Sequence, residues 1–394
     1  MLHNALSTTI VALCIGLFLP ADGWASDNEE DTIQAIVAQA VQPLMEHEGI
    51  PGMAVGVVSN GQSYVFNYGM ASRATVKPVN NNTLFEIGSV SKTFTATLAS
   101  YAQVDNQLSL ADSVSKYLPI LRGSRFDEVN LLNLGTHTLG GLPLQVPDEV
   151  TNDDELMRYF QNWKPSFTPG TYRTYANASI GLLGRVAAKR LNEGFAALME
   201  DKLYPVLGLK NTYLNVPISR LDDYAQGYTT KDAPIRLVSG VLAAETYGVR
   251  TTAGDLLRFV KANMGMVTLD EKWQRAITNT HTGYYQVGGM TQDLVWEQYP
   301  YPVELKILLA GNSDDVILKP NPAVKLDPPS PPQEKVLINK TGSTNGFSTY
   351  VAFVPARKLG VVLLANKRYP IDARVKTAHQ ILTGLKALPH PATR

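Results

Sequence analysis

The sequence predicts an α/β protein of the α+β type: an antiparallel sheet drawn from the N- and C-terminal segments, flanked by helices, with a mostly helical lobe inserted. Three observations predict it. Apolar, β-branched runs flank an Asn60-Gly61 turn near the start, and three more such runs close the chain after residue 335. Between them, around residues 88–175, helical and loop patterns dominate. Joining the first and last strands in one sheet leaves a cleft between sheet and lobe, where an active site would sit.

The elements follow in order. A helix is expected from about Thr32 to Glu46, then a hairpin of Gly52–Ser59 and Ser63–Gly69. Its Asn60-Gly61 turn suits two positions with positive φ. Thr83 to Gly88 ends in a glycine that permits a sharp turn into Ser89. Thr93 to Ala102 reads as a small-residue helix that could be buried on nearly all sides. Residues 335–340, 346–355 and 359–365 read as strands, and Ala373 to Lys386 as the closing helix. The proline-rich, polar stretch 319–333 reads as a surface connection, not a domain boundary.

A chain of 394 residues, 44% hydrophobic and 18% charged, can build a large core, here taken as one two-lobed catalytic unit over residues 26–394. Its formal net charge is zero and no basic run is present, which argues against a nucleic-acid partner. Ile10 to Leu19 is apolar but too short to span a membrane, and Gly23-Trp24-Ala25 offers small residues for a signal peptidase. Residues 1–25 therefore read as a signal peptide removed after about Ala25, which directs the chain to the periplasm. Bulky Leu13 before Cys14 argues against a lipoprotein anchor, so no membrane anchor is expected. Cleavage would remove the only cysteine. His3, His47, His137, His281, His379 and His390 show no metal-ligand spacing, so no metal and no cofactor is expected. His137 and His281 read as loop or pocket-wall residues. The default oligomeric state is a monomer.

Chemistry is carried by three motifs in a fixed order: Ser89-Val90-Ser91-Lys92, Tyr175-Ala176-Asn177 and Lys340-Thr341-Gly342. An alcohol is a weak nucleophile at neutral pH and needs a base beside it and donors for the oxyanion formed on attack. Spacing of three puts Ser89 and Lys92 on one helical face, with Ser89 in the positive end of the dipole. A lysine at the root of a buried helix loses hydration, which lowers its pKa towards that of a useful base. Each motif needs its context, because Ser113-Val114-Ser115-Lys116 and Tyr213-Leu214-Asn215 are decoys in solvated or edge segments. Lys340-Thr341-Gly342 occurs once, between two strand-like runs.

Over essentially its whole mature length the chain resembles the class C serine β-lactamases. The likeness is carried by Phe85 to Phe94, Gly140 to Val150, Tyr175-Ala176-Asn177, Ala244 to Val249 and Lys340 to Phe347. The resemblance implies that Ser89 attacks the lactam carbonyl while Lys92 and Tyr175 share the proton transfer, with Lys340 alongside. A tyrosine brought from about 10 to near 7 must be shifted by roughly 3 units, or about 4 kcal/mol. It further implies an oxyanion site at the N–H groups of Ser89 and Ser343, with Gly342 letting substrate lie along the strand. Lys340, Thr341 and Arg374 would face the substrate carboxylate, and Asn177 and Gln145 the side-chain amide, with Tyr247 also at the site. Ile371, Asp293, Val295 and His137 depart from the family's usual residues. A penicillin-binding DD-peptidase, a related carboxylesterase and a drug sensor share parts of this apparatus and are the rival readings.

Overall fold

The structure is a computed structural model that describes residues 23–388. Ten strands form its main sheet: β1 (Gly52–Ser59), β2 (Gln62–Ser72), β3 (Lys77–Pro78), β4 (Gly283–Val287), β5 (Met290–Gln292), β6 (Glu297–Pro300), β7 (Val324–Ser330), β8 (Val336–Ser343), β9 (Ser348–Val354) and β10 (Leu359–Ala365). They lie in the order β7-β4-β5-β6-β8-β9-β10-β1-β2-β3, and every pairing is antiparallel. The helices that matter for the site are α1 (Gly23–Glu48), α2 (Ser91–Val104), α3 (Asn177–Arg190), α4 (Glu271–Asn279) and α5 (Ile371–Lys386).

The expected closure of the sheet by first and last strands is present, as Met53 to Val58 of β1 pair with Gly360 to Ala365 of β10. Asn60 (φ +48°) and Gly61 (φ +88°) make the turn between β1 and β2, both in the left-handed region that an Asn-Gly hairpin exploits. Strands β1, β9 and β10 are buried along their whole length. Both faces of the sheet are covered, which explains why these strands read as unbroken apolar runs. On one face α1 and α5 pack with each other and with Val55, Val57, Tyr350, Val361 and Leu363. On the other lies the larger core, which joins the sheet to α2, α3 and the helical lobe.

Helix α2 is the centre of that lobe, with all but Tyr101 and Gln103 of its residues buried. It packs against α3 and α4, so the helical layer draws on segments well beyond residue 175. Phe94 stacks on Phe259 at 4.0 Å between ring centroids. Thr95 packs opposite Gly184, where an added Cβ would sit 2.9 Å from the threonine methyl.

Two expectations need correction. Residues 319–333 are not simply a connection: Val324–Ser330 forms β7, the edge of the sheet, paired with β4 through a register shift between Gly283 and Tyr285. Pro328 and Pro329 carry no N–H and are tolerated because they sit on an edge strand. Residues 283–300, unassigned to strands from the sequence, supply β4, β5 and β6. The signal-peptide reading falls on residues 1–25, largely outside the described ones. No described helix is long and apolar enough to cross a membrane.

Candidate active site

Two glycines bring Ser89 to the sheet. Gly88 (φ +50°) opens the short turn before α2, and a Cβ there would lie 2.5 Å from Ser343 N. A Cβ on Gly342 would lie 2.0 Å from Ile87 O. The turn and strand β8 therefore touch backbone to backbone, an approach open only to residues without a side chain. Ser89 is held half-buried at the head of α2, beside Ser343 at the end of β8.

Lys92 lies one turn beneath it, fully buried, and its Nζ donates to Ser89 Oγ at 2.9 Å and to Thr246 O at 3.0 Å. Burial lowers its pKa to about 8; Lys340 acts in the same sense and Tyr175 opposes both. The Tyr175 ring, 6% exposed, is ringed by cations: Lys340 Nζ is 5.1 Å from its centroid, Lys92 Nζ 5.3 Å and Arg173 Cζ 5.3 Å. Burial pushes the phenol up, but the charges of Lys340 and Lys92 and a hydrogen bond with Ser89 outweigh it and bring the pKa down to about 8. Ser89, Lys92 and Tyr175 thus form one cluster at the cleft floor, and its two buried members, Lys92 and Tyr175, are each brought to about 8.

The network has a counter-ion that sequence reasoning missed. Glu297, on β6, accepts from Lys340 Nζ at 3.3 Å and from Arg173 Nη2 at 2.9 Å through the same oxygen, Oε1. Arg173 is fixed in turn by Gln292 Oε1 at 2.6 Å and Val316 O at 2.8 Å. No motif marks Glu297; it reaches Lys340 because β6 pairs with β8, setting Glu297 opposite Asn339. His137 backs the tyrosine at 4.3 Å between ring centroids, and its Nδ1 accepts from the Ala176 N–H at 3.3 Å. Burial, with Arg173, Lys92 and Lys340 close by, holds its pKa well below the usual range, so the ring is an uncharged wall behind Tyr175. His281 is also buried, hydrogen-bonded to Asn263.

A cleft of about 470 Å³ opens over these groups, and Ser89, Gln145, Tyr175, Asn177, Tyr247, Lys340, Thr341, Gly342 and Ser343 all line it. Asn177 is 7% exposed and its buried Oδ1 has no partner, an acceptor left for a ligand in the cleft. Arg374 departs from expectation. It does not line the cleft: the residue is 1% exposed and its guanidinium donates to Gly342 O at 2.7 Å, Ser343 Oγ at 3.0 Å, Thr349 O at 3.3 Å, Ser348 Oγ at 3.0 Å and Tyr369 O at 2.6 Å. With those donors engaged it braces the end of β8 from behind. Arg368, Asp314, Leu318 and Val238 line the cleft without having been marked by the sequence.

Both decoy motifs are structural. Lys116 is paired with Asp112 at 2.7 Å on the surface, and the Tyr213 hydroxyl donates to Lys210 O at 3.1 Å. No cluster of histidine, cysteine, aspartate and glutamate that could hold a metal occurs among the described residues.

A beta-lactamase family profile matches residues 37–386. A beta-lactamase of Lysobacter lactamgenus is 53% identical over 375 residues, covering 95% of this chain and 97% of that protein. A solved class C beta-lactamase in complex with cefoxitin superposes with a TM-score of 0.88 at 52% identity, covering 90% of this chain and 99% of that one. A solved structure described as D-alanine carboxypeptidase AmpC from Burkholderia cenocepacia gives 0.87 at 54% identity, covering 90% and 99%. With a profile spanning nearly the whole described chain and relatives above half identity, the chain belongs to the beta-lactamase family, among the class C serine hydrolases.

Proposed function

We propose that the protein is an exported β-lactamase that hydrolyses β-lactam antibiotics, cephalosporins preferentially, through an acyl-enzyme on Ser89. The observation that carries the reading is the 2.9 Å contact between Lys92 Nζ and Ser89 Oγ beneath a tyrosine held near pKa 8. The Ser89 hydroxyl gives its proton to the Lys92–Tyr175 pair as Oγ bonds to the lactam carbonyl carbon. The carbonyl oxygen becomes an oxyanion facing the N–H groups of Ser89 and Ser343, and collapse breaks the C–N bond. The pair returns the proton to the departing ring nitrogen, leaving an ester on Ser89. Water then gives a proton to the same pair and attacks the ester, and the proton passes back to Oγ as the acid product leaves. Because Lys92 and Tyr175 are coupled, the proton belongs to the pair and not to either residue alone.

On this reading Lys340 lowers the tyrosine pKa and Thr341 faces the anionic end of the substrate. Gln145 and Asn177 take the amide side chain, Tyr247 forms the opposing wall, and Gly342 lets the ligand run along β8. Residues 26–394 act as one monomeric catalytic unit in the periplasm once the signal peptide is removed, and confer antibiotic resistance. A second reading, a D-alanine carboxypeptidase, is suggested by the description given to the Burkholderia cenocepacia structure. Hydrolysis of a chromogenic cephalosporin by the mature chain, with Ser89→Ala alongside, separates them. Sustained turnover abolished in the variant supports the lactamase. Stoichiometric acylation without turnover, together with release of D-alanine from a peptide, would establish the carboxypeptidase.

A further inference from the structure

Glu86 lies three residues before Ser89 and takes no part in the proton transfer proposed above, yet it is a buried carboxylate, 1% exposed, beside the site. Its Oε1 accepts from two donors, the Tyr224 hydroxyl and the Leu237 N–H, the second at 2.7 Å. Its Oε2 is buried and has no partner among the described residues. A carboxylate out of water costs stability unless its donors are well placed, so the donors it takes show what it holds. Tyr224 is itself fixed: Arg250 Nε donates to its hydroxyl oxygen at 3.4 Å, and Arg236 Cζ lies 4.3 Å from its ring centroid.

The main chain and the side chain of Glu86 hold different things. Its backbone pairs with Arg250, its carbonyl accepts from Thr349 Oγ1 at 3.4 Å, and the next N–H, that of Ile87, donates to Val249 O at 3.1 Å. Those contacts seat the turn that leads into Ser89. The carboxylate instead reaches across to residues 237–238, which line the cleft. Val238 is 87% exposed, and the N–H groups of residues 238–242 make no hydrogen bond among the described residues. The Leu237 N–H is therefore the last donor tied down before that run, and a side chain from the Ser89 turn is what ties it.

We propose that Glu86 is a positioning residue: through Leu237 it sets where the 237–238 wall of the cleft stands relative to Ser89, and so governs how tightly substrate is held. The effect on substrate rests on the β-lactamase reading, whereas the tether between Glu86 and Leu237 does not.

The tether is tested first in wild type, by amide hydrogen exchange read residue by residue. The Leu237 N–H should exchange at least about tenfold more slowly than those of Val238, Ser239 and Gly240, after correction for intrinsic rates. Glu86→Met removes both accepted hydrogen bonds and leaves the backbone contacts. That protection should then vanish, and KM for a cephalosporin should rise roughly tenfold with kcat within about threefold. Glu86→Gln keeps an oxygen for both donors and should recover most of both losses. A Leu237 N–H as fast as its neighbours in wild type would overturn the assignment, as would a fall in kcat without the rise in KM, or equal losses in the two variants. If Glu86→Met does not fold, the wild-type exchange pattern decides on its own. Wild type that acylates without turnover would contradict the β-lactamase reading instead, and the exchange pattern would still decide the role of Glu86.

Discussion

Oε1 of Glu297 is shared by Lys340 Nζ at 3.3 Å and Arg173 Nη2 at 2.9 Å, so one buried carboxylate sets both the position and the net charge of the cations around Tyr175. Its charge also raises the Tyr175 pKa, against the lowering by Lys340 and Lys92. Glu297→Gln should therefore do two things. Removing one partner of a buried ionic cluster should cost about 3 kcal/mol of stability, read by chemical denaturation. In the protein that remains folded, the ascending limb of kcat/KM against pH should move to lower pH, because a base-raising charge has gone. An unchanged melt and an unmoved limb would show that the cluster is not coupled to the site.

On the proposed mechanism the wild-type limb is set by Lys92 and Tyr175, each brought to about 8. Whichever member carries the proton, the deprotonated pair is the base, so kcat/KM should climb as pH rises through about 8. Lys340 lowers both values, so Lys340→Met should move the limb upward by roughly 1 unit. A flat wild-type profile between pH 6 and pH 9 would contradict this account.

Asp293 tests a different consequence of burial. It is wholly buried, neither carboxyl oxygen has a partner, and burial together with the nearby Glu297 charge pushes its pKa well above the usual range. A folded-state pKa above the unfolded value of about 4 means that the native protein holds the extra proton. Stability is then full below that pH and is lost as pH rises above it. Asp293→Asn cannot titrate. It should match wild type below pH 4 and exceed it at pH 7 by about 1–3 kcal/mol, since each unit by which the native pKa exceeds the unfolded one costs wild type about 1.4 kcal/mol as pH rises. Parallel stability curves across pH would refute the assignment.

Gly342→Ala probes the contact between strand and turn. Its Cβ would start 2.0 Å from Ile87 O, so β8 or the Ser89 turn must move by about 1 Å. Because the Gly88 turn that carries Ser89 and the end of β8 that carries Ser343 meet at that contact, kcat should fall by about 10²-fold on the proposed mechanism, with a smaller change in KM. Loss confined to KM would indicate that the glycine serves binding alone.

How much of this was readable from the sequence depends on how far apart the cooperating residues lie. Ser89 and Lys92 are one helical turn apart, and β1, β9 and β10 are buried on both faces, so local spacing and apolar runs disclosed them. Strands β4 to β6 are short and carry polar residues, β7 is largely exposed and holds two prolines, and only their pairing in the sheet makes them strands. Glu297 stayed hidden because its role is set by the pairing of β6 with β8 across a 42-residue separation in the chain. Arg374 was expected to face the substrate carboxylate by family resemblance, which gives a position in sequence and not the direction of a side chain. The structure turns it towards Tyr369 and Ser348.

The central claim, that Ser89 carries a transient acyl group formed and broken by the Lys92–Tyr175 pair, is tested most directly by intact-mass spectrometry of rapidly quenched mixtures of the mature chain and a cephalosporin. The account predicts a mass increment of one opened antibiotic, or of that antibiotic less its leaving group, mapping to the Ser89 peptide. The increment should be absent in Ser89→Ala and lost from wild type as substrate is exhausted. Turnover with no adduct at any time, or with the adduct on another residue, would contradict it.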